Sequence, residues 1–388
     1  MQRERRTRNP ALMARIALGL GLLVVAACGG SAPPRRPLVF SALSPGNAHA
    51  CGLTTDSATW CWGGNEDGGL GNGTMAPSLT PVAVVGGITF AAVSAGTGHG
   101  CGVTAAGVAY CWGENEEGEL GNGAKVDTAG PVPVAGGLRF AVVSAASGHT
   151  CGVTTSGAAY CWGRNDLGEL GTGSTTDSPT PAPVAGGLRF ATVSASFRYT
   201  CGLTTAGAVY CWGSNFRGQL GSGSSKDSPA PLPVAGRLIF RTLSTGDGHA
   251  CAVTAGGVAY CWGSSFFGEL GGGSKTDSPT PVRVAGGLTF AAVSAGGGHS
   301  CGRTTDGATY CWGNNDNGQL GDGTTTPSPA PVAVTGGLTF ASVNAGAGFT
   351  CGVTTDGAGY CWGSDVSGEL GDGTTTSSAV PVRIAGRR

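Results

Sequence analysis

Seven cysteines stand fifty residues apart, at Cys51, Cys101, Cys151, Cys201, Cys251, Cys301 and Cys351, and each opens a near-copy of CGVTAAGVAYCWGENEEGELG, the stretch from Cys101 to Gly121. So regular a repeat means one small unit copied seven times, each unable to bury its apolar face without its neighbours. The 388 residues would otherwise suggest two or three domains; stacked copies instead share one continuous core. Function must lie in what differs between the copies.

One unit, taken from Pro131, runs PVPVA, Gly136-Gly137, LRFAVVSA, a turn at Ala146 to Gly148, a strand through Cys151, the turn Thr155-Ser156-Gly157, AAYCWG and a long loop to about Thr180. Its apolar runs are strand-length and bounded by Gly, Pro, Ser and Asn, which excludes a helical unit. Gly136-Gly137 reads as a two-residue hairpin joining PVPVA to the strand after it. The expected fold is all-β: a seven-bladed β-propeller of four-stranded antiparallel blades. The chain opens on a lone Leu38 to Leu43 strand and ends on an unmatched Pro381 to Ala385 strand, so the ring is expected to close by pairing of the N- and C-terminal strands. Counting reversals puts the turn before His149 and the long loop after Trp162-Gly163 on one face.

Ahead of the repeats, Arg3, Arg5, Arg6, Arg8 and Arg15 precede a short apolar segment, Ile16 to Ala27, the layout of a secretory signal and too short to span a membrane comfortably. Val25-Ala26-Ala27-Cys28 resembles a bacterial lipobox, and Cys28 is the one cysteine of fifteen outside the repeat pattern. The expected organisation is a lipoprotein-type signal peptide at 1–27, a lipidated Cys28 with a flexible tether through residue 37, and the propeller from 38 to 388. The expected location is the bacterial cell envelope, with the chain lipid-anchored or secreted. A formal charge of −1, with those arginines in the leader, argues against a nucleic-acid partner.

Pairing Thr154 with Ala158 across the T-x-G turn sets Cys151 opposite Cys161. Facing cysteines in an exported chain predict seven disulfides: Cys51 with Cys61, Cys101 with Cys111, Cys151 with Cys161, Cys201 with Cys211, Cys251 with Cys261, Cys301 with Cys311 and Cys351 with Cys361. A cysteine pair ten residues apart beside a single histidine lacks the close spacing of a zinc site. Trp62, Trp112, Trp162, Trp212, Trp262, Trp312 and Trp362 occupy one repeat position, as expected of packing between blades. His49, His99, His149, His249 and His299 precede the first cysteine, with Tyr199 and Phe349 in the other two copies. Replacement by aromatics marks a packing position with one polar handle, and no carboxylate or second ligand recurs beside it for catalysis or metal binding. Gly221-Ser222-Gly223 lacks the ending of a phosphate loop, and Asn314 to Gly318 lacks the terminal Glu of a calcium loop. No cofactor, metal or catalytic residue is expected.

The run His149-Thr150-Cys151, Thr154, Gly157, Tyr160-Cys161-Trp162-Gly163-Arg164-Asn165 and Gly168-Glu169-Leu170-Gly171 resembles the repeats of the regulator of chromosome condensation family, and the likeness covers residues 38–388. The resemblance implies a seven-bladed propeller that holds another protein on a loop face. Its known members include a nuclear guanine-nucleotide exchange factor, a plant ultraviolet-B photoreceptor and a secreted bacterial inhibitor of β-lactamases. An exported chain sits nearest the last, so inhibition of an extracytoplasmic enzyme is the alternative function; exchange activity and an envelope structural role rank below it.

On the loop face, blades one to three carry Glu66-Asp67, Glu114, Glu116-Glu117 and Asp166, whereas the next two carry Phe197, Arg198, Tyr199, Phe216, Arg217, Phe266 and Phe267. Aromatics and arginines in exposed loops dominate binding energy at protein interfaces. These seven residues are the expected partner-binding set, opposite an acidic half, on a monomeric binding module without catalysis.

Overall fold

The structure, a computed structural model, describes residues 36–386. The signal segment, Cys28 and most of the tether lie outside the described residues. Twenty-eight strands form seven four-stranded antiparallel sheets, each built from strands in simple chain order. Blade three shows the pattern: Phe140–Ala145, His149–Thr154, Ala159–Gly163 and Ser178–Pro183 pair in succession.

The first strand of each blade lines the axis and touches its counterparts in both neighbouring blades all round the ring. A serine belt stitches these strands together. The Oγ of Ser94 accepts the Ala145 N–H at 3.0 Å, that of Ser144 the Ala195 N–H at 3.0 Å, and that of Ser44 the Ala95 N–H at 3.0 Å. Asn344 stands at this position in blade seven, and its side chain donates instead to Leu43 O at 2.9 Å across the seam.

Two expectations are corrected. PVPVA does not pair with the strand that follows Gly136-Gly137. Thr128–Pro133 pairs with Ala109–Gly113, the strand before the long loop, and Val134 N–H donates to Ala109 O at 3.0 Å. Pro131 and Pro133 offer no ladder N–H, so this segment suits the outer edge of a blade. Gly136 and Gly137, at φ 88° and 64°, make a tight turn that carries the chain to the axis of the next blade, where Phe140 N–H meets Gly107 O at 2.8 Å. The long loop therefore lies within a blade, and the connector between blades is Gly-Gly at five of the six junctions and Gly236-Arg237, with Arg237 at φ 51°, at the sixth.

The terminal strands do not pair with each other either: Phe40–Pro45 pairs with His49–Thr54, and Ser378–Arg383 with Gly359–Gly363. The four-strand unit is complete in every copy, which leaves no strand to exchange. Closure uses the ordinary contact between blades, with Phe40 N–H on Gly357 O at 2.8 Å and one apolar cluster holding Phe40 and Trp62 beside Val353, Leu370 and Ile384.

Each core lies between blades. Cys101, Val103, Cys111 and Leu120 of blade two enclose Phe140, Val143 and Trp162 of blade three. All seven tryptophans of the repeat are fully buried, and each indole Nε1–H donates to a backbone carbonyl of the preceding blade: Trp112 to Gly69 O at 2.9 Å, Trp162 to Glu119 O at 2.7 Å, and Trp62 to Glu369 O at 2.8 Å across the seam. The expected role of this position holds. Gly171, at φ 67°, lies so close to the next blade's indole that a Cβ there would fall 2.7 Å from the Nε1 of Trp212.

The seven cysteine pairs are disulfides with Cα atoms 4.0–4.1 Å apart, all buried. Cys151 faces Cys161 in the register set by the Thr154 N–H to Ala158 O bond.

Candidate protein-binding face

The turns before the histidines and the long loops share one face, as the count of reversals requires; Gly64 N–H donates to Ala48 O at 2.7 Å and Ser214 N–H to Arg198 O at 2.8 Å. A buried polar side chain staples each loop from inside, an asparagine in five blades, Ser265 in blade five and Asp365 in blade seven. In blade four the Asn215 side chain donates to Ser224 O at 3.0 Å and Lys226 O at 2.9 Å, while its oxygen accepts Leu220 N–H at 3.0 Å. Gln219 Oε1 takes Arg217 N–H at 2.9 Å, and in blade five Glu269 Oε2 takes Phe267 N–H at 2.8 Å. This framework fixes the loop backbone and leaves the residue at position 216 or 266 pointing outward, so residue type there is free to vary.

In blades four and five the loop tips are Phe216-Arg217 and Phe266-Phe267. Phe216 and Phe266 are 66% and 65% exposed, far more than folded-back rings would be. Phe267 is half-buried, edge-on to Phe266 at 4.8 Å and laid over Gly298 of blade six. Phe197 and Arg198 form the two-residue turn of blade four. Arg198 adopts φ 61°, an unusual conformation for a non-glycine residue that costs about 1 kcal/mol. Each arginine sits by its neighbouring ring, 5.7 Å from Phe197 and 5.5 Å from Phe216.

Ion pairs tie these residues into one strip. Arg198 meets Asp166 of blade three at 3.5 Å, and Arg217 meets Asp277 of blade five at 3.1 Å, where Asp277 also accepts Ser265 N–H beside Phe266. The strip is apolar with its arginines already paired, rather than a free cationic half. Opposite it, Asp67 and Glu114 have carboxyls pushed above their ordinary range, first by burial, then by repulsion from Asp127 and Glu66 for Asp67 and from Asp67 and Asp127 for Glu114.

Tyr199 does not belong to the strip. Successive strand residues point to opposite sides, and this one turns inward: it is fully buried, with its hydroxyl 2.9 Å from Gly246 O and 2.5 Å from His249 O. It occupies the position of the histidines, whose part is structural. His99 Nε2 donates to Thr150 Oγ1 of the next blade at 2.8 Å, and that hydroxyl donates to Glu119 O at 2.9 Å. The same relay runs from His149 to Thr200, from His249 to Ser300 and from His299 to Thr350. Where Tyr199 or Phe349 replaces histidine, the partner position holds Ala250 or Ala50. The covariation covers six of the seven blades; His49 faces Gly100, and its Nε2 is buried without a hydrogen-bond partner.

Burial holds the histidines neutral, lowering His99, His149, His249 and His299 to about 3 and His49 to about 4, while Glu119 and Glu169 are pushed up to about 7. Below pH 6.5 the unfolded chain takes up protons that the folded imidazoles refuse, so stability falls with pH, by about 1.4 kcal/mol per unit for each histidine. The two glutamates oppose this from pH 7 down to their ordinary range, because the folded chain binds their protons first. Asp67, Glu114, Asp247, Asp365 and Glu369 are raised as well and act with these two glutamates, so the imidazoles' loss is unopposed only below the ordinary carboxylate range. His299→Phe with Thr350→Ala, which copies the Phe349–Ala50 pair, is expected to keep the fold and move the acid-unfolding midpoint to lower pH in circular dichroism. An unmoved midpoint would contradict the relay's role.

At the centre of the face, the turn residues encircle the channel mouth, a cavity of about 240 Å³. Asn47, Thr97 and Ser147 line one side, Phe197 and Asp247 follow as neighbours, and Gly297 and Ala347 complete the ring. Asp247 escaped sequence analysis because it stands in an ordinary-looking turn, TGDGH; only the fifty-residue register sets it beside Phe197.

Residues 89–388 match the RCC1-like domain and residues 56–103 the regulator of chromosome condensation (RCC1) repeat. The chain belongs to the RCC1-like family. No curated protein sequence matches it. Among solved structures, human WBSCR16 is similar at 20% identity and TM-score 0.75, covering 83% of this chain and 89% of its own. Prp20p from Saccharomyces cerevisiae, studied for binding to Gsp1p and histones, shows 21% identity and TM-score 0.74 over 89% of this chain and 87% of its own. The same yeast RCC1 bound to Kap60 gives 19% and 0.75 over 98% and 91%. At these identities the structural likeness speaks for the fold alone.

Proposed function

We propose that this RCC1-like propeller is an exported, non-catalytic binding module, tethered by a lipid on Cys28 at the bacterial envelope, that holds a protein partner against its loop face. The observation that carries the proposal is the exposure of Phe216 and Phe266 on loops stapled from within. Rings held rigidly in water lose little further freedom on binding and bring large apolar area to a contact. The association of yeast Prp20 with Gsp1p, histones and Kap60 supports protein binding as a use of this fold. The leader at 1–27 supports an extracytoplasmic setting, where a bound enzyme would be inhibited if the face covered its active site.

Affinity capture from envelope and secreted fractions tests this, with the oxidised chain beside a Phe216→Ser, Phe266→Ser, Phe267→Ser variant. A protein retained by the parent and reduced at least tenfold in the variant is the expected result; two exposed hot-spot rings at about 1–2 kcal/mol each suffice for that. Equal capture by both would remove the strip from the interface.

A further inference from the structure

We propose that the channel mouth between Phe197 and Asp247 is a receptor for one cationic side chain, a lysine ammonium or an arginine guanidinium, presented by the partner of the loop face. The inference rests on the face being a protein-binding surface and adds the chemistry its centre selects.

Asp247 is the one ionisable residue among those lining the cavity. Its carboxylate is accessible to solvent, yet the walls of the mouth displace much of its hydration and push the carboxyl above its ordinary range. Among the described residues it makes no ion pair or side-chain hydrogen bond. Arg198 lies over the Phe197 ring at 5.7 Å but is paired with Asp166, and Arg217 is paired with Asp277. A partly desolvated carboxylate without a counter-ion gains more from an incoming cation than one in open water.

Phe197 supplies the second half of the receptor. It stands next to Asp247 in the ring, 43% exposed, and an aromatic face beside a carboxylate favours a cation through ring quadrupole and charge together. Gly297, following Asp247, adds no side chain to the mouth. An anion finds little to bind. The backbone N–H groups of Asn47, Thr97, Asp247, Gly297 and Ala347 are spent on carbonyls of the next blade, at 3.0–3.2 Å. The Tyr199 hydroxyl is likewise held by backbone oxygens.

The test is titration of the full oxidised chain with Nα-acetyl-lysine amide and Nα-acetyl-arginine amide, read by ligand-observed NMR, with Nα-acetyl-norleucine amide as the neutral control. Saturable binding of at least one cation is expected, with Kd on the order of 1 mM and the control at least about tenfold weaker. Asp247→Asn, which keeps the shape, and Phe197→Leu should each weaken it at least about fivefold, while Asp316→Asn, a loop-tip carboxylate outside the mouth, should not. Equal binding of the norleucine amide, indifference to Asp247→Asn, or no binding by either cation overturns the proposal. Partner capture separates the two inferences. A partner held at full strength by Asp247→Asn but lost by the Phe216, Phe266, Phe267 variant removes the receptor and keeps the face. Cation binding that depends on Asp247, with equal partner capture by parent and triple variant, keeps the receptor and removes the apolar strip.

Discussion

Reduced in dithiothreitol and diluted from guanidinium, the chain is expected not to regain the propeller, whereas the oxidised chain refolds. Each disulfide joins residues ten apart on neighbouring strands, and the seven loops are separate along the chain, so their closure entropies add. At about 2–3 kcal/mol apiece the set contributes roughly 14–21 kcal/mol, against a typical net stability of roughly 5–15 kcal/mol. The buried thiols left by reduction would still pack as small apolar groups. What is lost is the pre-closed hairpin in every blade. Far-UV circular dichroism and tryptophan fluorescence during refolding decide the matter; coincident transitions for the reduced and oxidised chains would show the bridges to be incidental. Removing one bridge, by Cys151→Ala with Cys161→Ala, should cost only its own about 2–3 kcal/mol.

Trp162→Ala is expected to cost about 4 kcal/mol. It empties a fully buried site between blades two and three, at about 3–5 kcal/mol for a large aromatic, and removes the indole bond to Glu119 O. Trp162→Phe should recover about half, since Thr150 Oγ1 still donates to that carbonyl. The informative comparison is Trp62→Ala at the seam. Closure uses the same indole contact, but Ala50 stands where Thr150 does and leaves Glu369 O without a hydroxyl donor, so Trp62→Ala should lose about 1 kcal/mol more than Trp162→Ala in urea titrations. A much smaller loss at Trp62 would mean that the seam is held by something other than this interface.

Much of this molecule is legible in fifty-residue steps. The disulfides follow from the symmetry of Cys151 and Cys161 about one turn, and the common face of turns and loops follows from strand reversals alone. Blade assignment does not, because Gly136-Gly137 suits either a hairpin or a crossing, and only the ladder shows that Pro131 and Pro133 sit at an outer edge. Tyr199 misled for a different reason: its neighbours Phe197 and Arg198 are exposed, but strand alternation turns it inward, and Ala250 was the clue that it fills a histidine's place. Asp247 became visible as a candidate only when the ring set it beside Phe197.

The position of the connectors also bears on how such a chain can change in length. Every connector separates two finished sheets, so gaining or losing fifty residues between successive connectors adds or removes one whole blade and leaves no half-built sheet behind. Copy number would alter the curvature demanded at each interface and the width of the axial opening, while every blade kept its own disulfide and loop. The blade is thus a unit of inheritance as well as of structure, and a single copy can acquire rings such as Phe216 or Phe266 while its neighbours keep their acidic tips.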